Sequence, residues 1–215
     1  MAAGRTAGTA RTASTANTAA GAGAYGWRFD SGRVCLDLMA TAEPAAGGRG
    51  RLDGAVPLGR WLLGAGLLPP GTPLSGIDAY WVRSFAELRD GIGRLVRAEI
   101  DGRQAPAALE RVNALAAGAP PGIRAVRNDA GVLVRAPIPE PECAALLAAV
   151  ARDAVELLTD QDARARLRRC EGDRCRRVYL DTSRGRRRRW CSSEVCGNRE
   201  RVARHRRRAA SVTHP

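Results

Sequence analysis

Lysine is missing from this chain: all 35 basic residues are arginine. A GC-rich genome produces the same bias, so the choice of arginine carries little weight and its placing carries more. Aromatic residues are scarce at 4%, and the apolar 45% is mostly Ala, Leu and Val. That balance argues against a β-sandwich built on Tyr, Phe and Trp and for packed helices. Histidine is almost absent, with only His205 and His214. The His-x-Glu signature of zinc deaminases is missing, as is any glycine-rich phosphate loop of the P-loop or dinucleotide type, so the chain is not expected to be an enzyme. No run of about 18 consecutive apolar residues exists, and no membrane-spanning helix is expected. Residues 1–24 are rich in Ala, Thr and Gly without a Leu/Val stretch; they read as a disordered leader rather than a secretory signal. The expected compartment is a reducing cytoplasm, with nucleoid association if the partner is DNA, and clustered cysteine there is more often metal-binding than disulfide-bonded.

What is present is concentrated. Residues 164–208 hold 18 arginines against five acids (Glu171, Asp173, Asp181, Glu194 and Glu200), a surplus equal to the whole net charge of +13. The rest of the chain is neutral in sum. A cationic field confined to one segment is the footprint of a polyanion partner, because phosphate contacts release counterions and dominate affinity. A solvated basic tail is the competing reading.

The remaining pattern is helical. Order is expected from Tyr25, with Tyr25, Trp27 and Phe29 alternating as in a strand, and Val34 to Met39 forming a short helix. A glycine-rich loop spans residues 45–50. Leu58, Leu62, Leu63 and Leu67 fall at helical spacing before Pro69-Pro70-Gly71, and Ile77 to Asp101 carries the clearest amphipathic stripe. Pro106 opens another helix that ends at Gly118. Two β-type runs, 123–127 and 132–135, flank Asn128-Asp129-Ala130-Gly131 and predict a hairpin. A long helix follows from Glu142 to Thr159, and residues 160–168 either extend it or begin another. The fold class expected is α+β: a mainly helical N-terminal domain with a small hairpin, residues 25–163, then a zinc-binding hairpin and helix, residues 164–210, and a tail, 211–215.

Cys170 and Cys175 form one pair, Cys191 and Cys196 another, each with four residues inside and fifteen between the pairs. Two short-spaced pairs on turns deliver four thiolates to one zinc ion at low loop-closure cost. Two disulfides or four buried free thiols are the alternatives. Residues 177–180 read as a strand, 181–185 as a turn and 187–190 as the returning strand. A helix is expected after Cys196, with Ser192 or Ser193 as its cap. About forty residues cannot bury enough apolar surface to fold alone, so the metal has to supply the missing stability. Cys35 and Cys143 stand alone in apolar runs and read as core residues.

The stretch from Cys170 to Arg208 resembles the CGNR zinc finger family through Asp181-Thr182-Ser183, Arg188-Arg189-Trp190-Cys191-Ser192 and, above all, Cys196-Gly197-Asn198-Arg199. The preceding part is similar to the ABATE domain in Gly32-Arg33-Val34-Cys35-Leu36-Asp37-Leu38, in residues 58–67, in Leu88-Arg89 and in Leu157-Leu158-Thr159-Asp160. Met39-Ala40-Thr41 departs from the family's usual Asn-Thr, and Arg176 stands where the family often has Gly. The resemblance implies a bacterial transcriptional regulator, linked to stress, with the four cysteines on zinc.

Nucleic acid is therefore the expected partner, DNA before RNA, with protein interaction around a structural zinc clip as the other reading. Arg186, Arg187, Arg188 and Arg189 on the hairpin, and Arg199, Arg201, Arg204 and Arg207 on the helix, are the candidate contacts, since guanidinium groups pair with phosphates and with guanine edges. Asn198 and Arg199 either meet nucleic acid or orient the thiolates. Trp190 and Tyr179 are expected to pack on the hairpin rather than stack on bases. The N-terminal domain is expected to sense a ligand or to pair two copies in a homodimer.

Overall fold

The computed structural model describes residues 27–42, 52–138, 141–173 and 175–212. The expected leader, Tyr25, the 45–50 loop and the last three residues lie outside them.

The body is built around two long helices whose apolar residues recur every three or four positions. In α3 (Ala79–Ile100), Phe85, Leu88, Ile92, Leu95 and Val96 all face inward and are buried. Its start is fixed by Asp78, whose carboxylate accepts from the Trp81 amide at 3.0 Å, a side-chain cap for an otherwise orphaned donor. In α5 (Cys143–Thr159), Leu146, Leu147, Val150, Ala151, Ala154 and Leu157 form the matching stripe. Between them lies α4 (Pro106–Ala116), which Pro106 starts because its fixed φ suits a first turn. α4 buries only Ala108 and Val112, so a narrow face meets both long helices. α2 (Ala55–Gly64) adds Leu58, Leu62 and Trp61, the last set between the rings of Phe29 and Phe85 at 6.2 and 6.3 Å. Each such residue contributes about 1.5–3 kcal/mol by leaving water.

The shortest core helix, α1 (Val34–Ala40), is also the most buried. It has no cap of its own. Asp153 of α5 takes that role: one carboxylate oxygen accepts from the Cys35 amide at 2.9 Å and the other from Arg33 Nε at 2.7 Å. An anion at a helix N-terminus meets free amides and the positive end of the helix dipole. Cys35 and Cys143 are both buried core residues.

β1 (Ile123–Arg127) and β2 (Leu133–Pro137) pair antiparallel with Val126 opposite Val134. Asn128 closes their turn, its Oδ1 accepting from the amides of Ala130 and Val132 at 3.1 and 2.9 Å. This hairpin leaves Ile123, Leu133 and Val134 exposed. Trp27 and Phe29 lie in an irregular segment, not a strand.

After α5, Asp160 caps a single turn, α6 (Gln161–Arg164), through the Ala163 amide at 3.1 Å. β3 (Leu167–Arg169) then pairs antiparallel with β4 (Val178–Leu180). The expected hairpin is corrected here: β4 takes its partner from before the first cysteine pair, and 187–190 is not a strand. The reason is apolar. Leu167 and Val178 insert into the same core as the helices, whereas Arg187-Arg188-Arg189 offers no face to bury.

Residues 28–32 strap this hairpin to α1. The Leu180 amide donates to the Ser31 carbonyl at 2.8 Å. Gly32 turns the chain with φ +90°, and a Cβ there would stand 3.0 Å from Leu180 Cβ. Gly32→Ala should therefore cost about 1–3 kcal/mol through left-handed strain alone, read as a lower urea midpoint at unchanged slope. Below the strap, Asp37 is buried and accepts from the Ser31 amide at 3.0 Å. Burial pushes its carboxyl up to about 7, against the pull of Ser31 and Arg177. A carboxyl near 3.9 in the unfolded chain and near 7 in the folded one is protonated preferentially in the fold, so its ionisation removes stability as pH rises from about 4 to 7. Asp37→Asn keeps the shape without that titration. Urea unfolding at pH 5.5 and 7.5 should show wild type losing stability relative to the variant as pH rises; parallel profiles would refute the assignment.

Candidate metal centre

The first cysteine pair sits at the tip of the β3–β4 hairpin. Cys170 still keeps the ladder, its amide donating to the Arg177 carbonyl at 2.9 Å, and the Cys175 amide closes a turn on the Gly172 carbonyl at 2.9 Å. The second pair is set by a helix start. Ser192 caps it, with Oγ accepting from the Val195 amide at 3.2 Å and its carbonyl from the Gly197 amide at 2.9 Å. Cys196 lies inside that first turn, a π-helical turn over Ser193–Gly197, which runs directly into α7 (Asn198–Val212).

The four sulfurs lie within 4.8 Å of one another. Cys175 and Cys191 are 3.7 Å apart and Cys191 and Cys196 3.5 Å. A tetrahedral zinc with bonds of about 2.3 Å has sulfur–sulfur edges of about 3.8 Å, so the donor set fits. A disulfide would need about 2.05 Å, and all six cysteines are free thiols. Cys170, Cys191 and Cys196 are buried, with Cys175 half-buried.

The electrostatics suit a bound cation. Hydrogen bonds from the Cys175 and Cys191 thiols pull Cys170 well below the usual thiol range. Cys175 is pushed up to about 11, chiefly by that bond to Cys170, Cys196 to about 11 by burial, and Cys191 still further by its thiol neighbours. Four thiolates in contact repel one another, and a dication removes that repulsion as it displaces the protons. The Cys191 amide, 3.3 Å from Cys170 Sγ, adds a backbone donor.

The loop between the pairs is held by one buried carboxylate. Asp181 accepts from Ser183 Oγ at 2.6 Å, the Ser183 amide at 2.9 Å and the Arg188 amide at 3.0 Å. Burial would push it up, but those bonds prevail and hold it below the usual range. Tyr179, also fully buried, donates its hydroxyl to the Arg188 carbonyl.

The eight candidate arginines fall into two groups. Arg188 lies 4.6 Å over the Tyr179 ring and donates to the carbonyls of Trp190, at 2.8 Å, and Cys191. Arg189 pairs with Glu171 at 2.6 Å and covers Trp190 at 5.1 Å. Arg186 and Arg187 are exposed at the loop, the former in left-handed backbone at φ 49°. Arg199, Arg201, Arg204 and Arg207 are exposed along α7, with Arg201 donating to the Ser193 carbonyl at 3.4 Å. Asn198 is exposed at the start of that helix. Spacing revealed neither the organising role of Asp181 nor the approach of Arg28, whose guanidinium reaches Cys191 Sγ at 4.0 Å. An ordinary Arg-x-Asp tripeptide gives no hint of a contact that distant in sequence.

The ABATE family profile, “Putative stress-induced transcription regulator”, matches residues 32–161, and that of the CGNR zinc finger matches residues 166–209. No curated protein matches the chain. The finger and the four clustered thiols together give the protein one zinc ion. Elemental analysis should find one zinc per chain. Cys191→Ser should lose it together with the helicity of α7, while most of the helical circular dichroism survives, since α1 to α5 have their own core. Full zinc retention in that variant would be incompatible with the site.

Proposed function

Since the chain belongs to the ABATE family and carries a CGNR zinc finger, we propose that this zinc-binding regulator acts by binding duplex DNA through the finger. The observation that carries the reading is the disposition of charge. The whole surplus of +13 falls within residues 164–208, and two elements leaving the zinc cluster carry exposed arginines, among them Arg186 and Arg187 on the loop and Arg199, Arg201, Arg204 and Arg207 on α7. Cationic groups on two elements of one metal-held knot can meet a phosphate backbone at more than one point. Arg188 and Arg189 then serve to hold the loop rather than to touch DNA. Asn198, exposed beside the first turn, joins the contact surface.

The aromatic residues favour duplex over single-stranded partners. Tyr179 is fully buried and Trp190 is covered by Arg189, so among the described residues of the finger no open aromatic face is offered for the stacking that single-strand recognition uses. The families matched are a regulator and a zinc finger, not enzymes. Among the described residues no helix is long and apolar enough to cross a membrane, and a DNA partner would hold the protein at the nucleoid in the cytoplasm. To the N-terminal body we assign the pairing of two copies, supported by the exposed Ile123, Leu133 and Val134 of the β1–β2 hairpin.

Fluorescence anisotropy of labelled duplex between 50 and 300 mM salt tests this directly. The log of affinity should fall linearly with log salt at about 0.9 per phosphate neutralised. Arg204→Gln should weaken binding and lower the slope by about one while leaving zinc in place, and titration to saturation should give two chains per duplex. Salt-insensitive binding, or none by the zinc-loaded protein, would sink the reading in favour of a protein partner.

A further inference from the structure

The metal centre receives a side chain from outside the finger. Arg28 precedes the stretches matched by either family profile, yet its guanidinium Nη2 stands 4.0 Å from Cys191 Sγ. It is held in that position. Asp30 accepts from Arg28 Nε at 3.1 Å and from Nη2 through the same carboxylate oxygen. The other oxygen accepts from Arg177 Nη1 at 2.6 Å, and Arg177 Nη2 closes the circuit on the Arg28 carbonyl at 3.3 Å. The side chains of Arg28 and Arg177 are only 24% and 13% exposed, so their charges are poorly screened by water. The strap that carries them is pinned on its far side by the bond between Leu180 and Ser31.

Four thiolates around a dication keep two negative charges in excess, in a site where three of the four sulfurs are buried. Such a site needs donors directed at sulfur, since a charge out of water is costly unless paired. The two guanidinium groups and one carboxylate of this cluster carry one net positive charge, and Arg28 is its member in contact with a cysteine.

We propose that Arg28 is a positioning residue of the zinc site: anchored by Asp30 and Arg177, its guanidinium offsets the excess thiolate charge at Cys191, so that the N-terminal body and the finger hold the metal jointly. The inference rests on the cysteines being the zinc ligands, and its test separates the two. Zinc-loaded full-length wild type, Arg28→Gln and Arg28→Lys are each mixed with excess chelator, and zinc transfer is followed with time. Substitutions of groups that support a ligand typically weaken metal binding 10- to 100-fold, so Arg28→Gln should release zinc about tenfold faster or more. Arg28→Lys, which keeps the charge, should stay within about threefold of wild type. Cobalt substitution supplies a readout indifferent to simple packing. Loss of the cation destabilises the thiolate electrons, and the sulfur-to-cobalt charge-transfer band should move to lower energy in Arg28→Gln and return toward the wild-type position in Arg28→Lys. Equal release from wild type and Arg28→Gln would overturn the proposal. So would a lysine variant that loses zinc more than about tenfold faster than wild type, and this comparison with wild type decides the matter if Arg28→Gln does not fold. A wild-type protein that holds no zinc would remove the metal site itself.

Discussion

The loop after β4 and the helix that follows it depend on four sulfur atoms being brought to the corners of one small tetrahedron. Few large apolar groups are available in the finger, and two of them, Leu167 and Val178, are spent on the helical core. What remains is Tyr179 with Trp190 and Val195 packed about the cysteines, too little to order a loop dense in arginine against its own repulsion. The thiolate–zinc knot replaces a core. Three pieces of chain meet at it: the β3–β4 hairpin, which reaches the helices through Leu167 and Val178, the 181–190 loop, and α7.

A carboxylate with several donors organises each half of the molecule. Buried Asp181 gathers three donors of the loop, and half-buried Asp153 gathers two at the start of α1. Each satisfies at least one backbone amide that would otherwise be orphaned and lies beside guanidinium charge. The division of labour among the arginines follows. Arg188 and Arg189, engaged by a carbonyl, a ring or an acid of the finger, are part of the scaffold, and in the proposed reading it is the exposed arginines of the loop and of α7 that meet the partner.

Much of this was legible in the chain itself, for identifiable reasons. The long helices could be read because Phe85 through Val96 and Leu146 through Leu157 repeat at 3.6-residue spacing, a local signal. The cysteine pairs could be read because metal chemistry restricts spacing, and the 123–137 hairpin because Asn128 and Gly131 are turn residues. The partner of β4 could not. Choosing between 167–169 and 187–190 depends on which one reaches a core formed by residues far away, and the nearer candidate in the motif had only charge to offer. Arg28 is the same kind of case: its environment is created by a contact across 163 positions, and nothing in its neighbours announces it.

The π-helical turn at Ser193–Gly197 has a geometric consequence. Apart from the half-buried Glu200 and Ala203, residues 198–208 are exposed, so packing does little to decide which way α7 faces. Its phase is set at the root, where Cys196 is fixed by the metal and the turn holds one residue more per winding than an α-helix. Removing or adding one residue between Cys196 and the first arginine would rotate the whole comb by about 100° while leaving the metal untouched. The turn is thus a phase setting, a place where a change in chain length, with no change in residue chemistry, would re-aim every side chain that follows.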